Sequence, residues 1–304
     1  MAVGGGVGGF YGASHDALLQ GQRTNLARYW ATWSGKPIGL ASLLFVVLLI
    51  VVSIIGPALQ THDPLTNNLR EVLVGPSGDH LLGTDPNGRD VYSRLVGGAR
   101  ISIFIGFASV FFGVSAGVLI GTVSGFLGGV ADYAIQRVVD AVMAIPGLIL
   151  LLAVVSVLDP SLTNLVIALC IYVTPRTVRI VRGEVMVARH FDYVEAARAL
   201  GGTTTRVMFR HVLPNVMAPI LIIGSITVGQ AILIEASLGF LGFGVPPPEP
   251  TWGNMLSGQN RQYMQSAPWL VLAPGIAITL TVLAFNMLGD ALRDILDPRL
   301  RGSK

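Results

Sequence analysis

Long apolar runs separated by short polar stretches dominate the chain. Crossing a hydrocarbon core takes about twenty predominantly apolar residues. Runs of that kind fall at Pro37–Leu59, 101–127, 138–158, 165–180, 216–240 and 269–288. They predict about six crossings and an all-α integral membrane protein. The fourth run is interrupted by Pro175, Arg176 and Arg179, so its helix is expected to emerge from the membrane there with its arginines wet. No soluble catalytic domain fits in the connections that remain.

Composition agrees with the pattern. The 304 residues are 52% hydrophobic and 12% charged, about half the charged share of a soluble domain, so the apolar excess faces the lipid bilayer. The net charge of +3 is small and concentrated on particular loops, which reads as topology and not as nucleic-acid binding. The single cysteine, Cys170, lies within an apolar run. It can form no internal disulfide and no thiolate metal cluster, and packing is its expected role.

The basic loops set the expected orientation. Residues 176–210 carry seven arginines (Arg176, Arg179, Arg182, Arg189, Arg198, Arg206, Arg210) against Glu184, Asp192 and Glu195, and positive loops stay cytoplasmic. The N-terminal Arg23, Arg28 and Lys36 and the C-terminal Arg293, Arg299, Arg301 and Lys304 agree, because an even number of crossings puts both ends on one side. Residues 1–36 are then a cytoplasmic tail, partly disordered because its start is Gly-rich. The first apolar run is longer than a signal-peptide core and lacks a convincing cleavage site, so it reads as a retained helix. Residues 37–100 form the first membrane helix and an external loop, 101–290 the transmembrane core, and 291–304 a cytoplasmic C-terminal tail.

One polar island, residues 192–214, stands out. Asp192 is placed to cap a helix, with Glu195 completing a capping-box spacing. Ala196, Ala197, Ala199 and Leu200 favour helix, and Gly201 is placed to end it in a left-handed turn. Thr203 or Thr204 can cap a second helix, and Pro214 marks its limit or a kink. On local sequence alone this is a helix–turn–helix. Its spacing carries more. Glu195-Ala196-Ala197, Gly201 and Leu213-Pro214 resemble the E-A-A-x3-G-x9-I-x-L-P signature of ABC-importer permeases. His211 replaces the apolar residue of that signature, and Arg210-His211 resembles the peptide-transporter branch.

Further stretches resemble the second permease of dipeptide, oligopeptide and nickel importers: residues 81–107, 125–153, 239–259 and the tail 289–301, so that the likeness runs over most of the chain. The resemblance implies a type I ABC-importer permease fold with a cytoplasmic coupling helix at 192–201. Asp192, Tyr193, Glu195, Ala196, Ala197, Arg198 and Gly201 would meet the ATPase. It implies a second, similar permease chain, two ABC ATPase subunits (or one fused) carrying ATP and magnesium, an extracytoplasmic substrate-binding protein, and a prokaryotic cell membrane. Di- or oligopeptides are the favoured cargo and nickel the alternative. A nickel route would favour clustered His or Met, whereas the eight methionines are dispersed.

Several residues invite a chemical reading. Asp85-Pro86-Asn87-Gly88 is a turn signal, after which residues 90–95 could lie along the membrane surface. Calcium at Asp85, Asn87 and Asp90 is disfavoured by Pro86 and by the absence of a closing glutamate. Gly121, Gly125, Gly128 and Gly129 form a small-residue stripe, either a helix contact or a helix end. Asp132, Arg137 and Asp140 suit ion pairing near a membrane boundary. Glu235, inside the fifth run, is a candidate pathway or gate residue, with structural pairing as the alternative. Pro246-Pro247-Pro248 favours stiff extended backbone in an external loop, Trp252 and Trp269 suit an interfacial belt, and Ser109 and Ser115 suit interhelical hydrogen bonding.

Catalytic motifs are missing. There is no G-x-x-x-x-G-K-[ST] loop, so the chain is not expected to hold ATP, a metal or another cofactor itself. His15, His62, His80, His190 and His211 show no i, i+4 pair for zinc, and no G-x-S-x-G elbow occurs. The leading reading is therefore a non-catalytic permease subunit of an ATP-driven importer. An autonomous secondary transporter or channel is the alternative, and an intramembrane enzyme ranks last because Glu235 has no evident catalytic partner.

Overall fold

The computed structural model describes residues 36–296. The features expected in residues 1–35 and 297–304, including Arg23, Arg28, Arg299, Arg301 and Lys304, lie outside the described residues. Among the described residues the chain is helical, with one isolated bridge between Thr84 and Asp90. We label the principal helices α1 (Pro37–Leu59), α2 (Val91–Leu127), α3 (Gly129–Met143), α4 (Gly147–Val157), α5 (Leu162–Ala188), α6 (Asp192–Ala199), α7 (Met217–Phe240) and α8 (Trp269–Leu296).

Five helical stretches are long and apolar enough to cross a membrane, and the α3–α4 pair counts as a sixth only as a broken span bent by 89°. The run at 138–158 is thus not one straight helix. Its break covers Ala144, Ile145 and Pro146, because a proline disfavours helical backbone at the residue before it and brings no amide donor. The second crossing also starts earlier than expected. Residues 91–100 are the first turns of α2, not a surface segment, and Asp90 caps them by accepting the Ser93 amide at 2.8 Å. At 37 residues, α2 is about 55 Å long, well beyond a hydrocarbon core of about 30 Å. Likewise α5 does not stop near residue 180. It continues to Ala188 with Pro175 inside it, and Arg176 and Arg179 stay exposed while bonding to Gln230 and Asp140.

The centre of the fold is the contact of α2 with α5, and it depends on glycine. Gly113, Gly117, Gly121 and Gly125 recur every fourth residue, which puts them on one face of α2. A methyl group on Gly117 would stand 2.5 Å from Thr177 Cβ, and on Gly121 it would stand 2.8 Å from the Val178 carbonyl oxygen. The stripe therefore serves close approach, whereas Gly128 and Gly129, with φ of 68° and 58°, make the turn into α3. Both expected roles occur, on different glycines.

At the other end of α2, the connection between α1 and α2 folds into a cap. Asp85 is buried, and its carboxylate accepts the Asn87 and Arg89 amides and the Arg89 guanidinium. Its oxygens are thus occupied by the turn itself. Trp252 is 2% exposed; its indole donates to the Leu95 carbonyl at 3.0 Å and its amide to Ser102 Oγ. Trp269 donates to the Thr84 carbonyl. Both tryptophans pin connections to the helices, and Trp252 is buried, so it faces no lipid. The three prolines at 246–248 are not one extended run, since Pro247 and Pro248 lie in a turn. Ser109 Oγ makes no hydrogen bond and Ser115 is exposed, so the bridging role expected of them falls to Ser102. Cys170 packs against Gly113 and donates weakly to the Ser109 carbonyl.

Gly121→Val tests the glycine contact. We expect a loss of about 1–3 kcal/mol or more from overpacking, read as a lower midpoint of thermal unfolding in detergent. Gly183→Ala, where a methyl group meets nothing within 4 Å, should leave the midpoint unchanged or slightly raised.

Candidate functional site

The polar island folds as an eight-residue helix, α6, between α5 and a second helical segment. Its start differs from the capping-box expectation. Phe191 is the N-cap and no side chain caps it; Asp192 is the first helical residue. The carboxylates of Asp192 and Glu195 still lie in the first turn, where they complement the helix dipole. The helix stops as its sequence predicts. The Gly202 amide donates to the Ala197 carbonyl and the Gly201 amide to that of Arg198, the hydrogen-bond pair of a Schellman motif. Gly201 has φ of 80°, a backbone state that costs residues with a side chain about 1–2 kcal/mol. Thr203 then caps the next turn by accepting the Arg206 amide.

Asp192, Glu195, Ala196 and Ala199 are all exposed, and their spacing places them on one helix face. Arg198, Gly201 and Leu200, the last 89% exposed, continue the outward surface. Facing inward, Val194 is fully buried in a cluster with Phe126 of α2, Val181 and Val185 of α5, and Val207, Met208 and Val212. Tyr193 and Ala197 are half-buried against the same cluster. The Tyr193 hydroxyl is buried without a hydrogen-bond partner, and burial pushes its pKa up. The Arg198 guanidinium lies 5.2 Å from the Phe126 ring centroid. One side of α6 is therefore open for a partner, and the other rests on three long helical segments.

The support around α6 is ionic as well as apolar. Arg182 of α5 makes a two-pronged contact with Asp132 of α3, both bonds at 2.6 Å, and Ser124 Oγ donates to the same carboxylate. Asp140 accepts Arg179 and pairs with Arg137, so the expected ion pairing at Asp132, Arg137 and Asp140 is present. Arg189 donates to the Gly125 carbonyl at the end of α2. Val194 and Phe126 escaped the reading of the sequence. Val194 carries one signal, as the only β-branched residue in a short alanine-rich helix. Phe126 carries none locally. Beyond α6, residues Val207–Val212 form a π-helical turn and Leu213–Val216 a 3₁₀ turn containing Pro214. These irregular turns bring Val207, Met208 and Val212 under α6 before α7 begins, a use of π-turns often met at functional sites.

Glu235 lies far from α6 in the chain's tertiary arrangement. It is fully buried in α7, where Oε2 accepts Ser102 Oγ at 3.1 Å and Oε1 has no hydrogen bond. The same Ser102 hydroxyl accepts the Trp252 amide. The carboxylate is thus part of the junction joining α7, α2 and the 241–268 connection.

Comparison with known proteins decides the family. The model of the binding-protein-dependent transport system inner membrane component family matches residues 117–302. The chain belongs to that family. It is 41% identical to the dipeptide transport system permease protein DppC of Haemophilus influenzae, across 95% of this chain and 99% of that protein. It is 41% identical to the di/tripeptide permease DppC of Pseudomonas aeruginosa (91% and 93%) and 40% identical to the glutathione permease GsiD of Pectobacterium atrosepticum (92% and 93%). Among solved structures, the inward-facing MetNI methionine ABC transporter matches with TM-scores of 0.55 and 0.57 at 20% and 19% identity, over 67% of this chain and 96% of that chain. That likeness shows the fold, an ABC-importer permease. The protein is a multi-pass permease subunit of an ABC importer.

Two substitutions separate the inward and outward faces of α6. Val194→Asp places an unpaired charge in the buried cluster, and we expect a loss of about 3 kcal/mol or more with early tryptic cleavage at Arg198. Glu195→Ala should change stability by less than about 1 kcal/mol and leave the cleavage rate unaltered.

Proposed function

We propose that this permease carries di- or oligopeptides and is driven by ATPase subunits that engage α6. The observation carrying the cargo is the 41% identity, across 95% of this chain, to a protein named as a dipeptide permease. The chain forms half of the pathway, and a second, similar permease supplies the rest. Two ABC ATPases hold ATP and magnesium, and an extracytoplasmic binding protein delivers the peptide. The arginine-rich stretch at 176–210 lies in the cytoplasm of a prokaryotic cell, with both chain termini, and the 60–90 and 241–268 connections lie outside.

In this reading the ATPase cleft takes the exposed face of Asp192, Glu195, Ala196 and Ala199, with Leu200 as an apolar anchor. Closure of the ATPases displaces α6 as a unit, since Val194 and Arg198 seat it on Phe126, and the shift passes into α2, α5 and α7. A two-state rocking of packed helices of this kind is how an interface movement is amplified. Glu235 belongs to the gate at the opposite end, where its carboxylate holds α7 to α2 through Ser102.

Co-purification of the tagged chain, followed by ATPase assay, tests the assembly. Recovery of a second permease and ATPase subunits, with activity stimulated by a binding protein plus dipeptide, is expected; a chain that purifies alone and moves solute without ATP overturns the proposal. Within the assembled complex, Gly201→Val should abolish peptide uptake while assembly persists, because no atom lies within 4 Å of the added Cβ and only the backbone angle is strained. Uptake at the normal rate would remove α6 from the coupling role. For Glu235, a Glu235→Gln complex with unchanged transport kinetics would return the residue to a purely structural place.

A further inference from the structure

Helix α5 exposes two faces of different character. Its residues Val173, Thr177, Val181 and Val185 pack on the α2 glycines and are covered. Ile167 and Ile171 are exposed and apolar, and helical geometry sets them roughly 180° and 140° around the axis from Arg176. That side suits lipid. Tyr172, Arg176, Arg179 and Gly183 follow one another at helical spacing and share another side. Arg176, Arg179 and Gly183 are exposed there, and Tyr172 is half-buried. Arg176 sits deep along this polar side. It lies roughly 18 Å along the axis from Ala188, the end of α5 that leads to α6. Its partner Gln230 lies roughly 20 Å from the start of α7. The two residues thus meet near the middle of both helices.

Charge pairing sets Arg176 apart from its neighbours. Arg179 is paired with Asp140 and Arg182 with Asp132. Arg176 Nη1 instead donates to the neutral Gln230 Oε1 at 3.1 Å, its one side-chain partner among the described residues. A guanidinium keeps its charge and carries several N–H donors in one plane, of which this bond uses one. With its oxygen engaged, Gln230 keeps its amide nitrogen, two further donors, beside the guanidinium. A permanent charge exposed this deep is costly against lipid, and such groups mark water-lined routes. We propose that Arg176 and Gln230 form the subsite of the translocation pathway that receives the C-terminal carboxylate of a peptide in transit, an inference that rests on the peptide-carrying role. The planar guanidinium matches a carboxylate with two parallel hydrogen bonds, and the Gln230 amide extends the same donor surface. Because its fixed partner is neutral, Arg176 retains an uncompensated charge for the cargo. One cation beside an amide holds weakly enough to let the peptide leave again.

The probes are a dipeptide and its C-terminal amide, supplied to the full assembly with its binding protein in proteoliposomes. Uptake kcat/KM is measured for both cargoes with the wild type and with R176Q. The same binding protein serves both assemblies, so its own preference cancels when the two acid-over-amide ratios are compared. The ratio should fall by about tenfold in R176Q, through slower uptake of the acid, while uptake of the amide changes by less than about twofold. R176K keeps the charge without the planar fork and should retain part of the preference; measured alone, it tests the subsite if R176Q does not assemble. Q230L should lower the ratio less than R176Q does, because the guanidinium stays. An acid-over-amide ratio unchanged in R176Q, or in R176K where R176Q is not recovered, overturns the subsite and leaves Arg176 as a tie between α5 and α7. A wild-type assembly that takes up neither cargo with ATP removes the peptide role itself, and the subsite with it.

Discussion

The close approach of α2 and α5 along four glycines is the constraint on which the remainder of the structure rests. Helices in lipid gain no hydrophobic driving force from meeting each other, so they associate through van der Waals contact and hydrogen bonding. Removing the side chains of Gly113, Gly117, Gly121 and Gly125 lets backbone meet Val173, Thr177, Val181 and Val185 directly. The Thr174 hydroxyl then reaches the Gly113 carbonyl at 3.1 Å. Larger residues at these positions would hold the helices apart and leave that bond unmade.

Because α2, at 37 residues, is longer than the hydrocarbon core is thick, this contact also connects the two ends of the molecule. At one end Phe126 and Gly125 receive Val194, Arg198 and Arg189 from the α6 region. At the other, the first turns of α2 carry the cap: Asp90 and Ser93 bind the 61–80 segment, and Leu95 and Ser102 bind Trp252. A displacement of α6 therefore acts on a helix whose far end holds the connections that a binding protein would meet in the proposed assembly. The buried Glu235 carboxylate lies at this second junction, linked through one serine hydroxyl to both α2 and Trp252.

Polar groups are used differently at the two ends. Around α6 the pairs are exposed or half-exposed, such as Arg179 with Asp140, and ion pairs of that kind contribute about 0–1 kcal/mol each. They direct α3 against α5 more than they stabilise the fold. In the cap, Asp85, Asp90 and His80 are buried and nearly every oxygen has a donor, so the connection behaves as a small folded unit. The hydrogen bond to Asp90 raises the His80 pKa, an effect reduced by burial and reinforced by Glu71. Burial works against the Asp90 charge, but bonds from His80 and Ser93 outweigh it and hold its pKa low.

What the sequence by itself determined is what depends on neighbours a few residues away. Apolar run length located the crossings, and Gly201 with the alanines before it determined how α6 ends, because a left-handed turn is a property of one residue's own sterics. The outward spacing of Asp192, Glu195 and Ala196 was legible for the same reason. Tertiary structure decided everything that requires distant segments to meet. It buried Val194 of α6 against Phe126 of α2. It set Asp132 and Asp140 of α3 against Arg182 and Arg179 of α5. It drew Trp252 inside, and it set His62, Glu71, His80 and Asp90 together although no periodicity relates them. Such contacts are decided by how helices pack, and packing is a property of the whole chain.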